Sequence, residues 1–281
     1  MPDREEYLLE MSERTLRFFS PSQLAMIADK TIALAGLGGI GAMVLELLAR
    51  MGVMKFRLMD MDRYEISNLN RQILATRSTL GFWKVDVAVA RIRDINPYVE
   101  IELIVREKAN RENVQRFVKG ADVFILGTDS PSSILLFHEF ARKYKVPLVD
   151  GHCISVIGGT VQVFDYRDPK QVCRVRPFRS PIFNAFARKI LGVEKEIDQF
   201  TDEELEQLDQ GQLPSASLGF VTNLIACVVV SETIKLLTGI GRIYRYPKEI
   251  YINLLNPTMK VRSTRSFKKA FLRLKQRLSK R

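Results

Sequence analysis

The chain has 281 residues, 46% of them hydrophobic, enough to bury a full core as one large α/β domain with appendages. The longest apolar run, Leu224 to Val230, is too short to span a bilayer. The charged start Met1-Pro2-Asp3-Arg4-Glu5-Glu6 lacks the apolar core of a signal peptide, so the chain reads as cytosolic. The net charge of +11 is concentrated at the C-terminus: nine basic residues and no acid lie from Val261 to Arg281, and removing them leaves +2.

Residues 1–30 read as a helical, partly amphipathic arm carrying Arg14 and Arg17. Thr31 to Ala35 is a short apolar run that ends at Gly36-Leu37-Gly38-Gly39-Ile40-Gly41, and Ile40 to Met51 follows with Met43, Leu47 and Leu48 at helical spacing. The pattern predicts strand, tight turn and helix. Gly36 permits the turn, Gly38 lets the backbone approach a phosphate, and Gly41 lets the helix sit close on the strand. The helix start then favours an anion. Lys55 to Asp60 is predicted as the second strand, with Asp60 at its carboxyl end, where an acid accepts ribose hydroxyls.

Met61 to Leu80 is a long polar connection containing Ser67-Asn68-Leu69-Asn70-Arg71-Gln72. Gly81-Phe82-Trp83-Lys84 opens a helix that Asn96-Pro97 stops. A strand from Val99 to Val105, a helix from Asn110 to Val118, and a strand from Ala121 to Leu126 ending in Gly127-Thr128-Asp129-Ser130 come next. A helix from Ile134 to Tyr144 and a short strand from Val146 to Val149 complete the alternation. Such alternation specifies a Rossmann-like, doubly wound, mainly parallel sheet. From Ile157 to Tyr166 a strand returns without a crossover helix, which extends the sheet with antiparallel strands. Residues 171–214 form a long crossover loop with a capping-box pattern at Thr201. Ser217 to Leu237 is an apolar helix, and Glu249 to Leu255 a last strand or strand pair. The division is thus an arm at 1–30, one domain at 31–262 and a basic tail at 263–281.

Ligands of open α/β sheets bind outside the carboxyl ends of the strands, and Arg71, Lys84 and Asp129 all follow such ends. A nicotinamide enzyme needs no cationic pair over the phosphates. Attack on an α-phosphate does, because charge gathers on the phosphorus oxygens and on the departing pyrophosphate. Arg71 offers a planar fork, Lys84 a point charge, and Asp129 the hard oxygen ligand that Mg2+ prefers. Asn68 and Gln72 can donate amides to phosphate or ribose. Taken singly, Arg71 and Lys84 are solvated loop cations and Asp129 is a helix N-cap. Together, behind a nucleotide loop, they read as a site. Cys153, Cys173 and Cys227 form no C-x-x-C pair, and His138 and His152 stand apart, so no zinc site is expected. Cys227, in an apolar helical run, reads as a buried, inert thiol.

The series G-L-G-G-I-G, M-D-M-D (Asp60, Asp62), S-N-L-N-R-Q, G-F-W-K, I-N-P and G-T-D-S, in order from about Thr31 to Asp165, resembles the ThiF/MoeB/HesA family of adenylyltransferases, in the ubiquitin-activating-enzyme superfamily. The resemblance implies ATP and Mg2+, with Gly36, Gly38, Gly39, Gly41, Asp60 and Asp62 at the nucleotide. Asp60 would hold the ribose, Asn68, Arg71 and Lys84 the phosphates, and Asp129 the magnesium and α-phosphate. It implies a homodimer in which an N-terminal arginine, Arg17 or else Arg14, reaches the partner's site. The implied substrate is the C-terminal glycine of a ubiquitin-like or sulfur-carrier protein, threaded beneath the 171–214 loop. The alternatives are a tRNA carboxylate, as in the threonylcarbamoyladenosine dehydratases of the same family, and a non-catalytic nucleotide-binding scaffold. S-N-L-N-R-Q is closer to the protein-activating branch than T-N-T-N-R-Q. The chain has no cysteine between Cys173 and Cys227, where family members place a crossover thiol. In the tail, Phe267, Phe271, Leu274 and Leu278 fall at helical spacing among basic residues, a pattern that suits tRNA, an anionic surface or a partner groove.

Overall fold

The computed structural model describes residues 2–128, 131–155, 158–171, 217–254 and 257–263. Asp129, Cys173, nearly all of the expected 171–214 crossover loop and the tail beyond Ser263 lie outside them. The arm is two short helices, α1 (Arg4–Met11) and α2 (Pro21–Ala28), joined through a single 3-10 turn, Thr15–Arg17. Asp3 caps α1 by accepting the Glu5 and Glu6 N–H groups, and Ser20 and Gln23 form a reciprocal capping box on α2.

From β1 (Thr31–Ala35) the chain alternates as its apolar runs predict: α3 (Gly41–Arg50), β2 (Lys55–Met59), α4 (Lys84–Ile95), β3 (Glu100–Val105), α5 (Arg111–Val118), β4 (Val123–Leu126) and α6 (Pro131–Lys143). Then come β5 (Leu148–Ser155), β6 (Gly158–Phe164), α7 (Gly219–Thr238), β7 (Lys248–Asn253) and β8 (Thr258–Ser263). One eight-stranded sheet results, in the order β3-β2-β1-β4-β5-β6-β7-β8. The first five strands in that row are mutually parallel, and from β5 onward the pairing is antiparallel. This is the Rossmann-like arrangement expected.

Every residue of β1 is buried, because its two faces feed two cores. Ile32 and Leu34 pack with Val44, Leu48, Val85, Ile225 and Val229 beneath α3, α4 and α7, while Ala33 and Ala35 pack with Phe117, Phe124 and Phe137 beneath α5 and α6. A strand covered on both sides has to be apolar throughout, and Thr31-Ile32-Ala33-Leu34-Ala35 is.

Two expectations change in detail, and one alternative is decided. β5 is eight residues long rather than four. Asp150, Gly151 and His152 read as loop residues, yet they pair with Gln162, Val161 and Thr160 of β6. Gly151 is required there because a Cβ would lie 2.4 Å from Val229 Cγ2 of α7. The C-terminal segment is a strand pair, β7 and β8. Cys227 is exposed, not buried: the helical period places it with Phe220 and Ser231 on the outward stripe of α7. That helix is long and apolar enough to cross a bilayer by composition. Here it is packed over the sheet, with twelve of its residues buried, Glu232 among them.

Candidate functional site

The site forms at the carboxyl ends of the paired strands β1 and β4, since the helix that follows β1 and the helix that follows β4 pack on opposite faces of the sheet. Such a switch point leaves a crevice at the carboxyl edge. The turn after β1 is held by glycines from three elements. Gly36 has φ +89°, and a Cβ on it would lie 2.5 Å from the Gly127 carbonyl oxygen. A Cβ on Gly41 would lie 1.8 Å from the Gly36 carbonyl oxygen. A Cβ on Gly39 would press on Thr222 of α7 at 3.1 Å, so Gly39 serves helix packing. Gly38 differs: its Cβ would meet only Gln72 Nε2, at 3.8 Å. Among the described residues no atom needs a glycine at that position, which suits close approach of a ligand.

Asp60 ties the second strand to this turn. Its Oδ2 accepts the Leu37 N–H at 2.6 Å and its Oδ1 the Asp62 N–H at 2.9 Å. A carboxylate accepts about four hydrogen bonds, so acceptor capacity remains for ribose hydroxyls. Burial pushes the Asp60 pKa up, opposed by the Lys84 cation and by these two N–H donors. Lys84 opens α4 and is only 5% exposed. Its Nζ donates to Asp62 Oδ2 at 2.9 Å, and its N–H to the Asp62 carbonyl at 3.0 Å. Asp62 itself is 55% exposed, so the pair opens to solvent on one side. Residues 62–64 run antiparallel to 81–84, bridged at Arg63 and Trp83, with the Arg63 guanidinium 4.0 Å above the indole. This ribbon fixes where Lys84 points.

The S-N-L-N-R-Q segment begins with a 3-10 turn, Ile66–Asn68. Asn68 is 8% exposed, and its Oδ1 accepts the Glu65 N–H, so its amide shapes the turn. Arg71 Nη1 donates at 2.8 Å to both the Ser67 carbonyl and Asn70 Oδ1, which folds the guanidinium against its own loop. Gln72 is 6% exposed, and its Oε1 has no hydrogen-bond partner among the described residues. A buried amide oxygen without a donor, beside the open Gly38, fits a site completed by a ligand. The segment is moored from a distance. Asn70 Nδ2 donates to the Ser217 carbonyl at 3.2 Å, and Thr222 Oγ1 to the Arg71 carbonyl at 3.4 Å. Gly219 lets the start of α7 approach, since a Cβ there would lie 2.7 Å from the Asn70 carbonyl oxygen.

The structure therefore brings the glycine turn, Asp60, Asp62, Lys84 and Gln72 together, with Asn68 and Arg71 in the adjoining loop. Arg17 is not part of this cluster: it is exposed on its 3-10 turn and makes no hydrogen bond among the described residues. Asp129 lies outside the described residues, among which no group of three or more metal-ligating side chains occurs. Sequence reasoning missed Tyr64, 1% exposed, whose hydroxyl has no hydrogen-bond partner among the described residues. Burial and the Asp60 charge raise its pKa and keep it neutral. No spacing rule marked it. Gly127 and Gly219 were visible as glycines, but the backbones they admit come from distant parts of the chain.

A family model described as ThiF family matches residues 12–271. The tRNA threonylcarbamoyladenosine dehydratase of Escherichia coli is 35% identical over 136 residues, 48% of this chain and 50% of that protein. The molybdopterin-synthase adenylyltransferase of Salmonella typhimurium is 30% identical over 164 residues, 58% of this chain and 65% of that one. This chain spans about half the length of the first curated relatives it matches. Among solved structures, Escherichia coli MccB with ATP superposes with a TM-score of 0.70 at 17% identity, over 94% of this chain and 72% of that chain. That likeness supports the fold described above.

Proposed function

This chain belongs to the ThiF family, and from that membership we propose that it uses ATP to adenylate a carboxylate. An oxygen of the carboxylate attacks the α-phosphorus, the bond to the bridging oxygen of the β-phosphate breaks, and pyrophosphate leaves with the electron pair. One observation carries the reading: Asp60 grips the glycine turn through Leu37 while lying close enough to the buried Lys84 amine to feel its charge. A ribose acceptor and a phosphate cation are thereby held at fixed separation. Lys84 and Arg71 offset the charge that develops on the phosphoryl oxygens. Arg71 would exchange its loop carbonyl for phosphate oxygens, and Gln72 would accept from a ribose hydroxyl or a bound water. Asp129, together with nucleotide oxygens, would hold Mg2+, a donor set typical of that ion. The metal would supply further charge neutralisation.

The leading acceptor is the C-terminal carboxylate of a small ubiquitin-like or sulfur-carrier protein, in keeping with the S-N-L-N-R-Q form and with the name of a further relative, the sulfur carrier protein adenylyltransferase of Thermus thermophilus, 32% identical over 136 residues. A tRNA carboxylate is the second reading, favoured by the name of the Escherichia coli relative. We further propose a homodimer in which Arg17 completes the partner's site. Arg17 is exposed beside Phe18, itself 82% exposed. Around the phosphate loop Ile66, Leu69 and Ile73 are 75%, 41% and 46% exposed, an apolar surface suited to a second copy.

Pyrophosphate exchange into ATP tests the chemistry directly. Candidate carrier proteins and tRNA should each be supplied as acceptor, and one of them should support exchange. Lys84→Ala should lower that exchange by about 100- to 1000-fold, the usual loss for one preorganised charge-stabilising donor. Tight ATP binding with no exchange for any acceptor, or full exchange in Lys84→Ala, would overturn the reading.

A further inference from the structure

We propose that the turn joining α7 to β7 is a phosphate-binding subsite for an RNA backbone. The turn encloses an open cavity of about 380 Å³, lined by Arg242, Tyr244, Arg245 and Lys248 together with Ser263 at the end of β8. Two of its cations share one ring: the Arg242 guanidinium lies 5.0 Å from the Tyr244 centroid and the Lys248 Nζ 5.9 Å from it. Both residues are exposed, and neither is ion-paired with a carboxylate among the described residues. Arg245 is paired, but it shares its partner. Asp165 accepts from Arg245 Nε at 3.0 Å and from Arg167 Nε at 2.7 Å, so one carboxylate answers two guanidiniums. Glu249, the next acid along β7, is taken by Arg262 at 2.6 Å.

Among the described residues the turn and its neighbours therefore hold an uncompensated positive surplus around one aromatic ring. Like charges gathered this way repel, and an anion relieves that repulsion. Guanidinium forks match phosphate oxygens, and a tyrosine face accepts a base. An extended polyanion fits better than a mononucleotide, because the chain beyond Ser263 adds eight basic residues and no acid over 264–281. The cationic character thus continues in sequence from the wall of the cavity. This inference bears on the second reading above, in which a tRNA carboxylate is the acceptor, but binding is read without ATP, so its failure and a failure of adenylation are distinguishable.

The test is fluorescence anisotropy of labelled bulk tRNA with the full chain, without nucleotide, at about 50 and about 200 mM salt. Salt-dependent binding is expected. Arg242→Ala/Lys248→Ala should bind about tenfold more weakly at the lower salt, with the slope of log affinity against log salt reduced by about 2. Arg242→Gln and Lys248→Gln should each reduce the slope by about 1, which preserves the test if the double variant misfolds. Arg242→Lys should stay near the wild-type value. Wild-type protein without salt-dependent tRNA binding, or a double variant that binds equally well, overturns the proposal. Poly-glutamate bound as tightly as tRNA, with the same loss in the double variant, assigns the subsite to an acidic protein and also overturns it.

Discussion

At the scale of single residues, burial sets the ionisation of two groups with different consequences. Asp60 is pushed up by burial and pulled back only in part by Lys84, so the charge that the proposed chemistry would use also opposes protonation of the acid proposed to hold the ribose. His138, on α6, is shifted further by burial than the charge beside it offsets. It is 5% exposed, its Nδ1 lies 2.7 Å from the Tyr166 hydroxyl, and burial lowers its pKa to about 4, with Asp150 opposing only in part. In the unfolded chain the same imidazole titrates near 6.5. Between those values the unfolded state binds the proton and the folded state does not, so stability rises with pH across that window. The contribution is complete above pH ~6.5 and amounts to about 3 kcal/mol. Urea unfolding at steps across that window should show the loss on acidification, and His138→Phe should flatten it. An undiminished slope in the variant would assign the effect to another group.

At the scale of elements, the glycines of the turn after β1 divide into those the fold needs and one, Gly38, that packing among the described residues does not explain. Gly41→Ala places a methyl 1.8 Å from a carbonyl oxygen and should cost at least about 3 kcal/mol of stability. Gly38→Ala meets nothing closer than 3.8 Å, so its melting temperature should stay within a few degrees of wild type while ATP affinity falls. Equal loss of stability in both variants would refute the distinction. This stretch was legible in sequence because strand, turn and helix are contiguous, and a single apolar run dictates a strand covered on both faces. β5 was misread for the opposite reason. Gly151 and His152 look like loop residues until Val229, nearly eighty residues later, shows why a glycine is needed. Cys227 was misplaced because a helix apolar all round carries no periodic signal of which stripe faces out. The candidate site was half legible. Asp60 and Lys84 stand where the motifs put them, but the mooring of Arg71 to Thr222 and the burial of Tyr64 depend on contacts that local spacing cannot encode.

At the scale of the whole molecule, the proposed homodimer makes a prediction that no property of a single chain can imitate. If Arg17 completes the partner's site, Arg17→Ala and Lys84→Ala are each inactive alone. Mixed and re-equilibrated in equal amounts they should recover about a quarter of wild-type exchange, since half the dimers are mixed and each has one intact site. No recovery would place Arg17 in its own chain's site or in none. The sheet also has a history in time. The face of β1 that carries Ile32 and Leu34, with Val44 and Leu48 of α3, is roofed by Ile225 and Val229 of α7, and the phosphate loop is moored to the start of that same helix. A ribosome adds about 5–20 residues per second, so roughly 5–20 s separate the completion of β4 from the arrival of α7. Through that interval the nascent parallel sheet presents an open apolar flank, and the Asn70–Arg71 loop lacks its contacts with Ser217 and Thr222. Synthesis rate and chaperone access therefore bear on the yield of this chain.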